Sequence, residues 1–234
     1  MAEVRVYMKN GKRVLLITDS MAMPRPEAKY EETWIYLLKQ AFPDYDFLDK
    51  SDRGSTSLRL VTEGGGGVDL LEMYEPDLVV LQLGMAECAP RLFKKTGFEF
   101  FFLNRILPRR FRLDYVNFIK KRRGRNPKIT DVSPDGFRNN LMNYFERARK
   151  MNVKVIVFLI SRATKLFQGK SPHITENVTL YNDIYREVAA RFPNVHLVVP
   201  FDEDVDLEEL AIDETHVDAR GHQILFNKLK PFLV

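Results

Sequence analysis

Val14-Leu15-Leu16-Ile17-Thr18-Asp19-Ser20 sets an unbroken apolar run directly against a polar turn. Without polar alternation, such a run reads as a strand buried on both faces, as in a parallel sheet covered by helices. Similar runs recur at Leu78 to Leu83, Val153 to Ile160 and Val195 to Val199, with a weaker fifth at Asp46 to Leu48. Helix-period segments lie between or after them, at Glu27 to Phe42, Ser133 to Met151, Ile174 to Phe192 and Ala219 to Phe232. Alternation of this kind predicts an α/β chain: a three-layer α/β/α sandwich around a mostly parallel, five-stranded sheet.

Some boundaries are written in the caps. Ser133-Pro134-Asp135 offers an N-cap serine with proline at the first helical position, and Ser171-Pro172 repeats the pattern. Phe192-Pro193-Asn194 ends a helix ahead of the last strand. Gly64 to Gly67 lacks the lysine and Ser/Thr of a phosphate-binding loop, so a flexible connector is expected there.

At 234 residues, 45% of them apolar, the chain is expected to form one domain spanning 1–234. Its start, MAEVRVYMKNGKR, has no apolar stretch of the secretory type, and no run approaches the ~18–20 apolar residues of a membrane span. Cys88 is the only cysteine, so no intramolecular disulfide can form. These features predict a cytoplasmic protein without a transmembrane segment. The histidines His173, His196, His216 and His222 show no metal-ligand spacing, and neither a metal nor another cofactor is expected.

The net charge of +4 is unevenly placed. Nine basic residues against Asp114 give the stretch Arg105 to Arg125 a local +8, leaving the remainder at −4. Phe98, Phe100, Phe101, Phe102, Phe111, Tyr115 and Phe118 are interleaved with this charge or just precede it. We read 91–126 as an insertion carrying one or two amphipathic helices. Ordinary packing, a lid and an anionic substrate or surface all fit its composition. It carries no nucleic-acid recognition motif, so no specific nucleic-acid partner is expected.

Open α/β sheets bind ligands beyond the carboxyl ends of their strands. Ser20 follows the first run, Gly84-Met85-Ala86-Glu87 the second, Ser161-Arg162 the third, and the stretch from Pro200 toward Asp213-Glu214-Thr215-His216 the last. A serine hydroxyl needs an imidazole to take its proton and a carboxylate to orient that imidazole, and Ser20, His216 and Asp213 supply the three groups. His222 is a rival base with no carboxylate three residues before it, and Cys88 a rival nucleophile.

These residues resemble the SGNH/GDSL hydrolases. Leu15 to Met21 is similar to the first block of that family, with Thr18 for glycine and Met21 for leucine. Arg53-Gly54-Ser55-Thr56 is similar to the second block, and Asp213-Glu214-Thr215-His216 with the Gly221-His222 tail to the last. The resemblance implies the flavodoxin-like SGNH fold over one whole domain. It also implies Ser20 as nucleophile, His216 as base, Asp213 as orienting carboxylate, and an oxyanion hole built from Ser20 and Gly54, with Ser55 as a further donor. In the third block, Gly84-Met85-Ala86-Glu87, Ala86 replaces the usual asparagine donor. Losing one such donor costs about a hundredfold to a thousandfold in turnover.

The function implied is hydrolysis of an O-acyl, foremost O-acetyl, ester of a carbohydrate or polysaccharide precursor, a small-molecule or glycan ester, with thioesterase and lysophospholipase chemistry as family alternatives. A non-hydrolytic domain binding an anionic glycan or a protein is the competing expectation. Arg91 and Glu87, following the third-block strand end, are candidate substrate contacts.

Overall fold

A computed structural model describes residues 11–61, 67–94, 97–123, 126 and 128–234. The N-terminal stretch to Asn10, Gly64 to Gly66 and Arg125 lie outside the described residues. In chain order the main elements are β1 (Arg13–Thr18), α1 (Trp34–Ala41), β2 (Asp46–Asp49), β3 (Leu78–Gln82), α2 (Met85–Cys88), α3 (Phe98–Phe101), α4 (Arg109–Arg123), α5 (Pro134–Lys150), β4 (Lys154–Phe158), α6 (Lys165–Lys170), α7 (Ile174–Ala189), β5 (Val195–Val198), α8 (Leu207–Leu210) and α9 (Ala219–Leu229).

Among the described residues, five strands form one sheet in the order β2-β1-β3-β4-β5, and every pairing in it is parallel. Side chains alternate between two cores, as a pleated strand requires. Leu15, Ile17, Val79, Leu81, Val155 and Val157 pack with Phe137, Tyr144 and Tyr181 of α5 and α7. Val14, Leu16, Val80, Ile156 and Phe158 face the other way, against Trp34, Leu38, Leu225 and Leu229 of α1 and α9. The expected three-layer architecture is therefore present, with a sheet that is wholly parallel rather than mostly so.

Local chemistry explains where elements begin. Ser133 caps α5 by accepting from the Gly136 N–H at 3.2 Å, with Pro134 in the first turn. Asp218 caps α9 through the Gly221 N–H at 3.0 Å. The first helix starts later than its periodicity suggests, because Thr33 accepts from the Tyr36 N–H and caps it there. Ahead of it, Arg25 and Ala28 exchange backbone hydrogen bonds of 2.8 and 3.1 Å, folding the Pro24-Arg25-Pro26 segment back on itself. Ser171 does not cap α7. Its N–H closes α6 on Phe167 O at 2.8 Å, and α7 begins at Ile174 after one further turn.

The segment from Arg91 is closed at its base by an antiparallel bridge, with the Asn126 N–H donating to Arg91 O at 3.1 Å and the Arg91 N–H to Ile129 O at 2.7 Å. Within it α3 runs into a wide π turn over Phe102–Ile106, Pro108 interrupts, and α4 follows. Tyr115 packs against Phe93 and Phe102, whereas Phe111, Leu113 and Phe118 are exposed. No described helix is long and apolar enough to cross a membrane.

The chain leaves β1 for β2 on one side, then returns past it to β3 on the other. The order reverses at β1, opening a crevice beyond the carboxyl ends of β1 and β3. Gly84 makes the exit from β3 possible. Its φ is +122°, and a Cβ there would lie 2.6 Å from two carbons of Ile160. We expect Gly84→Ala to lower stability by about 2–5 kcal/mol, the sum of backbone strain and overpacking. Urea unfolding checks this as a lower midpoint at unchanged slope.

Candidate active site

Ser20 begins the short 3-10 turn Ser20–Ala22 directly after β1. The Asp19 N–H donates to Gln82 O across to β3 at 3.0 Å, and the Asp19 carboxylate accepts from the Met21 N–H at 2.9 Å. These two bonds fix the turn that presents Ser20. Asp19 is itself 3% exposed, and burial pushes its pKa up to about 7 against the opposing Met21 N–H and Arg25 charge.

From the other end of the chain comes the loop between α8 and α9. Asp213 folds it locally, one carboxylate oxygen accepting from the Thr215 and His216 N–H groups, each at 2.8 Å. The other oxygen lies 2.7 Å from His216 Nδ1. Asp213 thus both closes the turn and orients the ring. Burial works against its charge, yet the bonds from His216 and Thr215 hold its pKa below the usual carboxylate value.

His216 Nε2 lies 3.0 Å from Ser20 Oγ. With the Nδ1 proton directed at Asp213, the Nε2 lone pair faces the hydroxyl, which is the tautomer a proton acceptor needs. Burial lowers the His216 pKa most; Asp213 opposes that, and the charges of Arg25 and Arg53 reinforce it. Together these favour the neutral ring.

The Asp52 N–H donates to Thr18 O at 3.1 Å, which brings the 52–55 turn beside the end of β1. Ser55 N–H closes that turn on Asp52 O, and Gly54 occupies its third position with φ +68°, as a type II turn demands. Among the described residues, no acceptor is taken by the Ser20 or Gly54 N–H. Ser55 differs from the sequence expectation: it is 5% exposed and its N–H is committed, leaving only its hydroxyl, 3.4 Å from Arg59 Nη1.

Ala86 lines a cleft of about 140 Å³ together with Ser20, Met21, Met85, Ala89 and Phe167. Its methyl offers no donor. Arg91 and Thr215 also border this cleft. The Arg91 guanidinium donates to Ala86 O at 2.6 Å and pairs with Asp131 at 2.8 Å, so it braces the loop as well as facing the cleft.

Glu87 corrects the sequence reading. It is fully buried, does not line the cleft, and accepts from the Ser57 N–H at 2.5 Å. Asn140 Nδ2 donates to the Ser57 hydroxyl at 2.9 Å, completing a buried strut under the loop that carries Gly54. The reason is rotational: in the single turn of α2, Met85, Glu87 and Cys88 point inward while Ala86 is left outside. The second Glu87 oxygen has no partner among the described residues, as suits a protonated carboxyl, and burial pushes the pKa up to about 7.

Cys88 is completely buried and burial pushes its thiol pKa well up, so it is no nucleophile. His222 is 1% exposed and its Nδ1 accepts from the Trp34 N–H at 3.5 Å. Two residues escaped the sequence reading. Asn182 grips both backbone groups of Ile160, at 2.8 and 2.9 Å. Arg25 places Nη2 2.5 Å from His216 Nε2. Neither lies in a motif, although a cation flanked by prolines just after the nucleophile was a signal available to inspection.

No protein-family model and no curated protein sequence matches the chain. Solved structures do resemble it. TesA is 19% identical with a TM-score of 0.57, covering 95% of this chain and 98% of TesA. Axe2, an acetylxylan esterase from Geobacillus stearothermophilus, is 16% identical with a TM-score of 0.60 and 95% coverage of each chain. A G-D-S-L family protein from Desulfitobacterium hafniense DCB-2 is 15% identical with a TM-score of 0.61, over 95% of this chain and 100% of that one. The likeness is one of fold: this chain has the fold of the SGNH/GDSL hydrolases.

The Glu87 strut has a pH signature. A carboxyl whose native pKa is raised keeps a proton that the unfolded chain releases, so its contribution to stability falls as pH rises from about 4.5 through 7. Glu87→Gln cannot ionise. Between pH 5 and pH 8 we expect its stability relative to the unsubstituted protein to improve by on the order of 2 kcal/mol, read from urea midpoints at both pH values.

Proposed function

We propose that this chain, built on the SGNH/GDSL hydrolase fold, is a serine ester hydrolase. The observation that carries the reading is the 3.0 Å approach of Ser20 Oγ to His216 Nε2, with Asp213 at 2.7 Å behind the ring. Ser20 attacks the ester carbonyl as His216 accepts its proton. The resulting imidazolium is stabilised by Asp213 and protonates the leaving alkoxide, and water, deprotonated by the same ring, releases the acid from Ser20. The Ser20 and Gly54 N–H groups stabilise the oxyanion.

The cleft beside Ser20 is small and lined largely by Met21, Met85, Ala86, Ala89 and Phe167, which favours a short acyl group such as acetyl. An O-acetylated carbohydrate is the substrate class we favour, in line with the acetylxylan esterases among the similar structures. A lone, buried, unpaired cysteine is compatible with the reducing conditions of the cytoplasm, where we assign the protein. The exposed cations of α4, with Phe111 and Phe118 beside them, suit an anionic substrate or surface.

Ala86 favours a second reading, a non-hydrolytic domain that binds an anionic glycan or protein partner. Two measurements separate the readings. Labelling by a fluorophosphonate probe and turnover of 4-nitrophenyl acetate are both expected, and both are expected to vanish in Ser20→Ala. Labelling that persists in Ser20→Ala removes Ser20 from the role, and absence of both from the unsubstituted protein favours the binding domain. Because burial lowers the His216 pKa from its ordinary value of 6.5, the acidic limb of kcat/KM should fall below pH 6.5, where protonation removes the base. Ala86→Asn, restoring an amide at the cleft, is expected to raise kcat by up to about a hundredfold.

A further inference from the structure

Arg25 occupies the place the reaction needs. Its Nη2 lies 2.5 Å from His216 Nε2 and 3.4 Å from Ser20 O, and Nη1 lies 3.3 Å from Pro24 O. A guanidinium is permanently charged and only donates. With the ring proton on Nδ1 facing Asp213, Nε2 has one lone pair, and Ser20 Oγ at 3.0 Å competes with Arg25 for it. While Arg25 holds that lone pair, the serine proton has no acceptor, and an imidazolium formed beside the guanidinium is repelled.

The cation has no close counter-charge. Among the described residues its hydrogen bonds go to two carbonyls and the imidazole, and it makes no ion pair. Asp213 and Asp19 attract it from farther off, and Arg53 repels it. Arg53 is exposed on the turn that carries Gly54 and acts electrostatically on both Arg25 and His216. Two arginines thus converge on one histidine; of the carboxylates that attract Arg25, Asp213 is already committed to the ring and two N–H groups, and Asp19 is buried and accepts from the Met21 N–H. An anion is the missing complement.

Its position in the substrate follows from the chemistry. On the serine hydrolase reading, His216 Nε2 delivers a proton to the leaving oxygen, so a group bonded to Nε2 sits on the alcohol side of the ester. We propose that Arg25 is a latch released by substrate: a carboxylate or phosphate on the alcohol part of the ester draws its guanidinium away from His216, freeing the lone pair for Ser20, and Arg53 adds to the pull. The substrates are then acyl esters of acidic alcohols, with neutral esters turned over more slowly because the base is free of Arg25 only part of the time. This inference rests on the hydrolase reading and narrows it.

The test compares kcat/KM for three acetyl esters, 4-acetoxybenzoate, 4-acetoxyphenyl phosphate and neutral methyl 4-acetoxybenzoate, in the unsubstituted protein, Arg25→Gln and Arg25→Lys. The unsubstituted protein should prefer at least one anionic ester by about tenfold or more, and which of the two leads identifies carboxylate or phosphate as the natural group. Arg25→Gln should lose that preference by slowing the anionic ester while speeding the neutral one several-fold, and Arg25→Lys should keep part of it. Equal preferences in the unsubstituted protein and Arg25→Gln, with Ser20-dependent turnover intact, overturn the latch and leave the hydrolase standing.

A readout without turnover keeps the two failures apart. The His216 ring, titrated by nitrogen NMR, is faced by Asp213, Arg25 and Arg53, with His222 of α9 also coupled to it. Removing the cation in Arg25→Gln should raise the His216 pKa, and added benzoate or inorganic phosphate should raise it in the unsubstituted protein but not in the variant. An anion response that is absent, or unchanged by Arg25→Gln, overturns the latch even if no ester is turned over.

Discussion

A wholly parallel sheet delivers the carboxyl end of every strand to one edge, and everything at this site depends on that constraint. Because the strand order reverses at β1, the chain after β1 and the chain after β3 diverge, and nothing of the sheet fills the space between them. Ser20 and the turn of α2 border that space. The Asp19 N–H bond to Gln82 O ties the two strand ends together. A one-residue slip of β1 would turn Ile17 from one core to the other and carry Ser20 with it, so two hydrophobic cores hold one hydroxyl in place.

The site is supported from below by polar groups that the fold keeps dry. Asp19 shapes the turn of Ser20, and Glu87 with Asn140 holds Ser57, two residues after the turn that carries Gly54. Burial raises the pKa of both carboxyls, so each serves as a hydrogen-bonding strut with weakened charge. Asp213 is the reverse case. Two N–H groups and a ring nitrogen satisfy it, and it stays ionised next to His216. Carboxyls within one small region thus differ in charge: burial pushes Asp19 and Glu87 up, while the bonds from Thr215 and His216 hold Asp213 low.

The layered fold was largely legible in the chain because its signal is local. Runs such as Val14 to Ile17 and Leu78 to Leu83 have no polar alternation, which only a doubly covered strand tolerates. The errors lie where a local cue had two uses. Ser171 reads as an N-cap yet closes the preceding helix, and α1 loses its first two turns to the Pro24-Arg25-Pro26 fold-back. Candidate site residues in short blocks at strand ends, such as Ser20, Gly54 and Asp213 with His216, were readable for the same reason. Glu87 was not, since its neighbour Ala86 faces the cleft and one step along a helix turns a side chain by about 100°.

Hydrophobic period and turn chemistry, which are properties of neighbouring residues, determined by sequence alone that the chain would form an α/β sandwich with polar turns at the strand ends. Only the tertiary structure decided that Arg25 would meet a histidine 191 residues away and that Glu87 would face Ser57 rather than solvent. Those contacts depend on loop paths and on helix rotation to within an ångström or two. Such distances are set by packing of the whole molecule, and no run of adjacent residues encodes them.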